Sequence, residues 1–421
     1  MPRSDAPSAV AGVHLPDDAD RRARAAALAC MIGLAVALGV GRFAFTPLLP
    51  LMLADGSIGL KAGSWLASAN YAGYFVGAVS CAAVRVAPAR MVRFGLAATV
   101  LLTAAMGVGH LLSAWLVVRF VAGVVSAWTF VFVSQWGLRR LTELHAPEWS
   151  GVIYAGPGVG IVLTGLIGSA LAGHRAAPGW LGFAALSALL SVAIWRTFGS
   201  APGPAALTTA APAAAAPAMR ERQAAPHDAR RHRADAAWLV VLYGMPGFGY
   251  IITATFLPVI ARAALPAGSP WPDLFWPMFG AALIVGAIAA SRLPGHWDNR
   301  LLLAAGCATQ ALGIAAGIVW PNAAGFSAGS ALLGLPFTAI TLFAMREARR
   351  LHGERAAGLM GYATASYGVG QILGPLVAAP LTARFGSFSP ALWVAAGALL
   401  AGAAGFAATA ARGRAQPRTQ P

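Results

Sequence analysis

Long apolar stretches separated by short polar breaks run from residue 25 to residue 411. They exceed about 18 residues, the length at which an apolar helix crosses the hydrocarbon core of a bilayer. None shows the alternation of a membrane β-strand, so the spans are helices, which satisfy their own backbone groups where water is absent. The breaks predict twelve spans, at 25–53, 62–84, 94–112, 114–137, 150–172, 179–198, 236–261, 274–292, 301–320, 323–345, 358–382 and 389–411. One break is unlike the others. Residues 199–235 are rich in Ala and Pro, carry Arg220, Arg222, Arg230, Arg231 and Arg233, and are too poor in large apolar residues to form a core, which reads as a disordered linker. The chain therefore divides into a tail (1–24), a six-helix half (25–198), the linker (199–235), a second six-helix half (236–411) and a second tail (412–421).

The halves repeat one another. Gly39-Val40-Gly41-Arg42-Phe43-Ala44-Phe45-Thr46-Pro47-Leu48-Leu49-Pro50 returns without a gap, 208 residues later, as Gly247-Phe248-Gly249-Tyr250-Ile251-Ile252-Thr253-Ala254-Thr255-Phe256-Leu257-Pro258. Gly77 matches Gly286, Arg139-Arg140-Leu141 matches Arg349-Arg350-Leu351, and Gly158-Val159-Gly160 matches Gly368-Val369-Gly370, at offsets of 209, 210 and 210. A nearly constant offset over four elements is a tandem duplication, giving two parallel six-helix repeats, an arrangement that places a substrate site between two rocking halves. Gly39, Gly41, Pro50, Gly247, Gly249 and Pro258 are shared and are read as scaffold that bends or packs the lead helix of each half. Arg42 is not shared, because Tyr250 stands in its place.

Composition agrees with the pattern. The 421 residues are 58% hydrophobic and 10% charged, too little charge to cover a soluble surface. The net charge of +16 does not mark a nucleic-acid binder, since the bases sit in short loops beside the spans. With tails and linker taken as cytoplasmic, only Lys61, Arg175, Arg262 and Arg384 of the 30 basic residues fall on the opposite side, and only Arg42 and Arg119 lie inside spans. Both termini are therefore expected in the cytoplasm. Cys30, Cys81 and Cys307 lie within spans without metal-ligand spacing. The preponderance of Arg over Lys, with much Ala, points to a GC-rich bacterial genome and hence to a bacterial inner membrane.

Three local patterns carry a family resemblance. Arg119 with Gly123 resembles motif B of the major facilitator superfamily, and Gly156-Pro157-Gly158-Val159-Gly160 resembles its motif C. The loop from Arg85 to Arg93 stands where motif A belongs but has no acid, whereas its second-half counterpart, Gly295-His296-Trp297-Asp298-Asn299-Arg300, has an acid and an arginine. Gly41-Arg42-Phe43 with Thr46-Pro47-Leu48-Leu49-Pro50, Trp65-Leu66-Ala67-Ser68-Ala69-Asn70-Tyr71-Ala72-Gly73-Tyr74, Gly249 to Pro258 and Gly370-Gln371-Ile372-Leu373-Gly374-Pro375 are similar to the YbfB/YjiJ-type branch. The resemblance implies a twelve-helix transporter of the major facilitator fold, with the first and fourth helices lining a central cavity. It does not imply a substrate. Gly156 and Pro157 are read as packing and gating positions.

The chemistry lies in the two buried charges. A charge in a span costs at least about 2.5 kcal/mol on insertion scales, so it normally faces a cavity and a partner. At about 1.5 Å per residue, Arg42 and Arg119 lie roughly 5 and 9 Å from mid-span toward the outside. All 14 acids fall in tails, loops or span ends. Two arginines without an internal carboxylate invite an anionic guest, because a guanidinium is a planar fork that fits carboxylate or phosphate. The competing reading has each arginine bonding to carbonyls freed around Gly39, Gly41 and Pro47, or reaching outward to water. Asn70, Tyr74, Tyr250 and Gln371 complete the candidate binding set. Tyr71, Trp128, Gln135, Thr253, Gln310 and Tyr362 are polar positions that bundle hydrogen bonding explains equally well. There is no phosphate-binding loop, no cofactor motif and no catalytic cluster, so an enzyme is not expected. The favoured reading is a monomeric secondary transporter in a lipid bilayer, moving a small solute, with an organic anion as the leading class. Proton-coupled efflux of drugs or metabolites is the alternative, and a non-transporting sensor or scaffold is the alternative of another class.

Overall fold

The structure, a computed structural model, describes residues 16–199, 226–353 and 356–414. The first half comprises α1 (Pro16–Leu34), a π-helical segment (Ala35–Val40), α2 (Phe45–Ala54), α3 (Leu60–Ser80), α4 (Pro88–Val108), α5 (Leu112–Glu143), α6 (Ser150–Ala170) and α7 (Ala176–Trp195). The second comprises α8 (Pro226–Ala264), α9 (Trp271–Ser291), α10 (Asn299–Val319), α11 (Ala323–Gly334), α12 (Phe337–His352), α13 (Ala356–Phe385) and α14 (Ser389–Arg414). Among the described residues, 10 helices are long and apolar enough to cross a membrane. The long helices outside that set are α3 and α13. Neither is rich in charge, so polar side chains such as Ser68, Asn70, Ser366 and Gln371 lower their hydropathy, and these two helices pack against each other between the halves.

The duplication appears as repeated packing. Within the first half α6 packs on α1 and the π-helical segment, α3 on α5, and α4 on α7; within the second, α13 packs on α8, α9 on α11, and α10 on α14. The halves meet where α3 lies on α13, α6 on α9, and α2 on α8. Glycine makes these approaches. A Cβ on Gly160 would stand 2.6 Å from the Cα of Gly39, and one on Gly39 would overlap Gly160 in return. In the second half a Cβ on Gly247 would overlap the Tyr367 carbonyl, and one on Gly370 would stand 2.6 Å from the Phe248 nitrogen. In lipid there is no hydrophobic drive between helices, so close backbone packing of this kind holds the bundle.

The structure corrects several boundaries. The 199–235 segment lies mostly outside the described residues, but from Pro226 the chain is already helical as the start of α8. The tenth predicted span is split into α11 and α12, because Pro336 has no N–H to continue the ladder. Glu347, expected beyond the span, lies in α12 and is buried. The two copies of the lead helix also differ. The first breaks between Val40 and Phe45, whereas α8 runs unbroken through Gly247, Gly249 and Pro258. The break is thus not a shared property of the repeated frame.

If backbone contact between Gly39 and Gly160 limits the first half, Gly160→Ala should lower thermal stability in detergent by about 1–3 kcal/mol, as overpacking does. Gly182→Ala, where an added Cβ meets nothing within 4 Å, should leave the melting temperature unchanged or raised. Equal shifts in the two variants would exclude the close-contact explanation.

Candidate functional site

The broken lead helix builds the site. Gly41 and Phe43 donate five residues back, to the Val36 and Leu38 carbonyls at 2.9 and 3.0 Å. The Thr46 N–H goes to Phe43 O at 3.1 Å, so Arg42 O loses its usual helical donor. Arg119 on α5 supplies the replacement, with Nη2 donating to Arg42 O at 3.2 Å and Nη1 to Gly41 O at 3.4 Å. Ser126, also on α5, donates to Ala37 O at 2.8 Å. The Arg119 guanidinium lies over the Phe45 ring at 4.9 Å, and Asn70 Nδ2 donates to the Arg119 carbonyl at 2.9 Å. At offset 210 the second-half position is Gly329, which carries no such donor, and α8 stays unbroken.

With its backbone held this way, Arg42 reaches across the seam. Its Nη2 donates to Gln371 Oε1 on α13 at 2.7 Å, and Gln371 Nε2 donates to the Tyr250 hydroxyl on α8. Arg42 and Tyr250, equivalent positions of the duplication, are thus joined through one amide. Thr46 donates to Ala254 O at 2.9 Å, again a pair at equivalent positions, which puts both near the axis relating the halves. Ser68 Oγ donates to Ile372 O at 2.9 Å, and the Tyr71 hydroxyl meets Thr255 Oγ1 at 2.9 Å. These are the hydrogen bonds that fasten the halves among the described residues.

The cluster is cationic and holds no acid. Neither Arg42 nor Arg119 forms an ion pair among the described residues. The Nε of each is buried without a partner, as is Asn70 Oδ1. Arg42 instead lies 4.2 Å from the Tyr74 ring centre, 5.1 Å from Phe43 and 5.2 Å from Tyr71. Cation–π contacts of this kind are worth about 2 kcal/mol when desolvated.

The structure brings Arg42, Tyr74, Tyr250 and Gln371 together, with Tyr71 beside them. Asn70 and Arg119 form a second layer that fixes the backbone carrying Arg42. Other positions lie elsewhere: Trp128 Nε1 donates to Ser80 at 2.9 Å, Gln310 Nε2 to Leu333 O at 3.3 Å, and Gln135 and Tyr362 are exposed. Thr253 lines a small cavity of about 20 Å³ inside the second half, with Leu257, Gly313 and Phe326. Gly156 and Pro157 sit in α6, where a Cβ on Gly156 would overlap Met31 O. Sequence reasoning missed the aromatic wall. Tyr250 stacks on Tyr367 (5.9 Å, 21°) and meets Phe337 edge-on (4.9 Å, 74°), while Phe43 meets Trp276 at 5.8 Å and Phe337 at 6.3 Å. Tyr250 was already a candidate and adjacency to Arg42 could have flagged Phe43; nothing distinguished Phe337, Trp276 and Tyr367 among 19 Phe, 13 Trp and 7 Tyr.

A second charged group lies apart from the seam. Asp298 caps α10 by accepting from Arg300 N at 3.0 Å and pairs with Arg300 Nη2 at 3.1 Å. Arg300 also reaches Glu347 at 3.8 Å, and Glu347 pairs with Arg350 at 2.6 Å. Burial raises the Asp298 carboxyl, but the Arg300 hydrogen bonds outweigh it and hold the group below the usual carboxylate range. The first-half loop has no such acid, and Arg93 donates instead to Trp195 O at 3.3 Å.

A duplicated bundle of apolar helices, with its polar groups gathered on the seam between halves, has the architecture of a membrane transporter. Residues 34–406 match the family model described as "Uncharacterised MFS-type transporter YbfB", and the chain belongs to that family of major facilitator transporters. It is a multi-pass membrane transporter and not an enzyme. A mutant of the nucleoside transporter NupG has a similar fold, with a TM-score of 0.67 at 14% identity, over 91% of this chain and 99% of that one. Among curated protein sequences, none matches this chain.

Replacing Arg119 by Ala would leave the Gly41 and Arg42 carbonyls without donors in a dry interior, at about 1–3 kcal/mol each. Arg119→Ala should therefore lower the melting temperature of the purified protein far more than Arg42→Ala does. The reverse order would show that Arg119 is not the clamp of the lead helix.

Proposed function

We propose that this chain is a secondary transporter that carries a small organic anion by alternating access, with Arg42 as the anion-binding group. The observation behind this reading is a buried guanidinium whose hydrogen-bonded side-chain partner is a neutral amide from the opposite half. A cation desolvated without a carboxylate is the state that an incoming anion improves most. The same absence of acid disfavours a cationic drug as cargo, and it leaves no carboxylate beside Arg42 to take up a coupling proton. Uniport or anion exchange follows from this reading, in preference to proton-coupled efflux.

The topology is read as twelve spans, the ten most apolar together with α3 and α13, with both termini in the cytoplasm of a bacterial inner-membrane protein. The positive-inside distribution supports this orientation. The fastening hydrogen bonds then lie between mid-membrane and the outer face. Tyr74, Phe337 and Tyr367, each half-buried, are read as the approach from the cytoplasm.

In a cysteine-free background, Gly56→Cys should react with a membrane-impermeant maleimide on intact cells, and Gly295→Cys only after lysis. The opposite labelling would invert the topology. In proteoliposomes, saturable uptake of radiolabelled organic anions should fall at least tenfold in Arg42→Gln, with Arg42→Lys retaining part of it because the charge remains while the planar fork is lost. Accumulation of a cationic dye, indifferent to added organic anions and unchanged in Arg42→Gln, would rule out the proposal.

A further inference from the structure

The guanidinium edge formed by Arg42 Nε and Nη2 is the side-on fork that a carboxylate grips with both oxygens. Half of it is filled: Gln371 Oε1 sits on Nη2 at 2.7 Å, while Nε is buried without a partner. Gln371 thus offers one carbonyl oxygen where a carboxylate would offer two. The surroundings are aromatic on several sides. Tyr74 lies against the guanidinium face, Tyr367 stacks on Tyr250, and Phe337 meets both Tyr250 and Phe43. One buried polar atom without a partner, Trp276 Nε1, belongs to a ring in the same neighbourhood, through the contact of Trp276 with Phe43. A short aliphatic acid would fill the fork and leave the aromatic faces unused, whereas a flat ring gains stacking and edge contacts with them.

Building on the organic-anion reading above, we propose that the cargo is a monocarboxylate carried on a flat ring. Its two oxygens take the Nε–Nη2 edge of Arg42 and displace Gln371, while the ring lies among Tyr74, Phe337 and Tyr367. Arg42 belongs to the first half and Gln371 to the second, so the exchange of partners also undoes one of the bonds fastening the halves. No covalent bond is made or broken.

The test is equilibrium binding to the full chain in lipid nanodiscs, with benzoate, acetate and benzamide as probes. Benzoate should bind at least tenfold tighter than acetate, and benzamide, the neutral ring, should bind at least tenfold weaker than benzoate. Gln371→Glu places a built-in carboxylate on the fork and should weaken benzoate at least tenfold. Gln371→Leu removes the competitor and should bind benzoate as tightly as the parent or tighter, a result that a merely damaged fold does not give. Acetate binding as tightly as benzoate would overturn the ring and leave the anion reading standing. Benzamide binding as tightly as benzoate, with Gln371→Glu unaffected, would overturn the anion reading itself. Weak benzoate binding in Gln371→Leu would overturn the displacement of Gln371.

Discussion

The Arg119 guanidinium, set against the carbonyls of Gly41 and Arg42, is the contact on which the rest of the site depends. A helix in lipid cannot leave carbonyls bare, so the first lead helix can break at Val40 only because α5 carries donors to meet the break. Beyond the break, Arg42 lies among rings of its own half and reaches Gln371 of the other. The two arginines therefore divide the work: one is consumed in holding the backbone, and the other meets only neutral partners, the Gln371 amide and the rings around it. The competing reading of an intramembrane arginine, as a donor to freed carbonyls, describes Arg119, while Arg42 keeps the features of a binding group.

Duplication supplies the scaffold and divergence supplies the site. The close glycine contacts recur in both halves, Gly39 with Gly160 and Gly247 with Tyr367 and Gly370, because backbone approach is the means by which parallel repeats pack in lipid. At the axis, equivalent residues face each other, as Thr46 and Ala254 do directly and Arg42 and Tyr250 do through Gln371. A charge opposite a phenol at such a position makes the seam charged on one side only.

Much of this was legible in the sequence. The apolar runs, the 208-residue echo and the substitution of Tyr250 for Arg42 follow from periodicity and counting, and they located the seam. Depth along a helix can be counted, but its rotation cannot, so Arg42 and Arg119 looked alike until their neighbours were known. The same gap hid Phe337 and Tyr367, ordinary aromatic residues in apolar spans whose importance comes from which way they face. The continuity of α8 was hidden for another reason: the repeated Gly-x-Gly and Pro frame permits a break, but the donor that sustains it lies on a different helix, 78 residues from Gly41.

The absence of a carboxylate at the seam also bears on how the halves can move. Removing one partner of a buried ion pair costs about 3–5 kcal/mol, because it strands the other charge. A hydrogen bond between a charged and a neutral group contributes about 1.5–3 kcal/mol, and a neutral pair about 0.5–1.5. The fastening set here is one bond of the first kind, Arg42 to Gln371, and three neutral ones. A replacement partner for Arg42 would offset the largest single contribution among these four. An acid in place of Gln371 would hold the halves together and fill the cation; the amide holds them weakly and leaves the charge available. Glutamine at position 371 thus ties the halves through Arg42 without supplying a counter-charge.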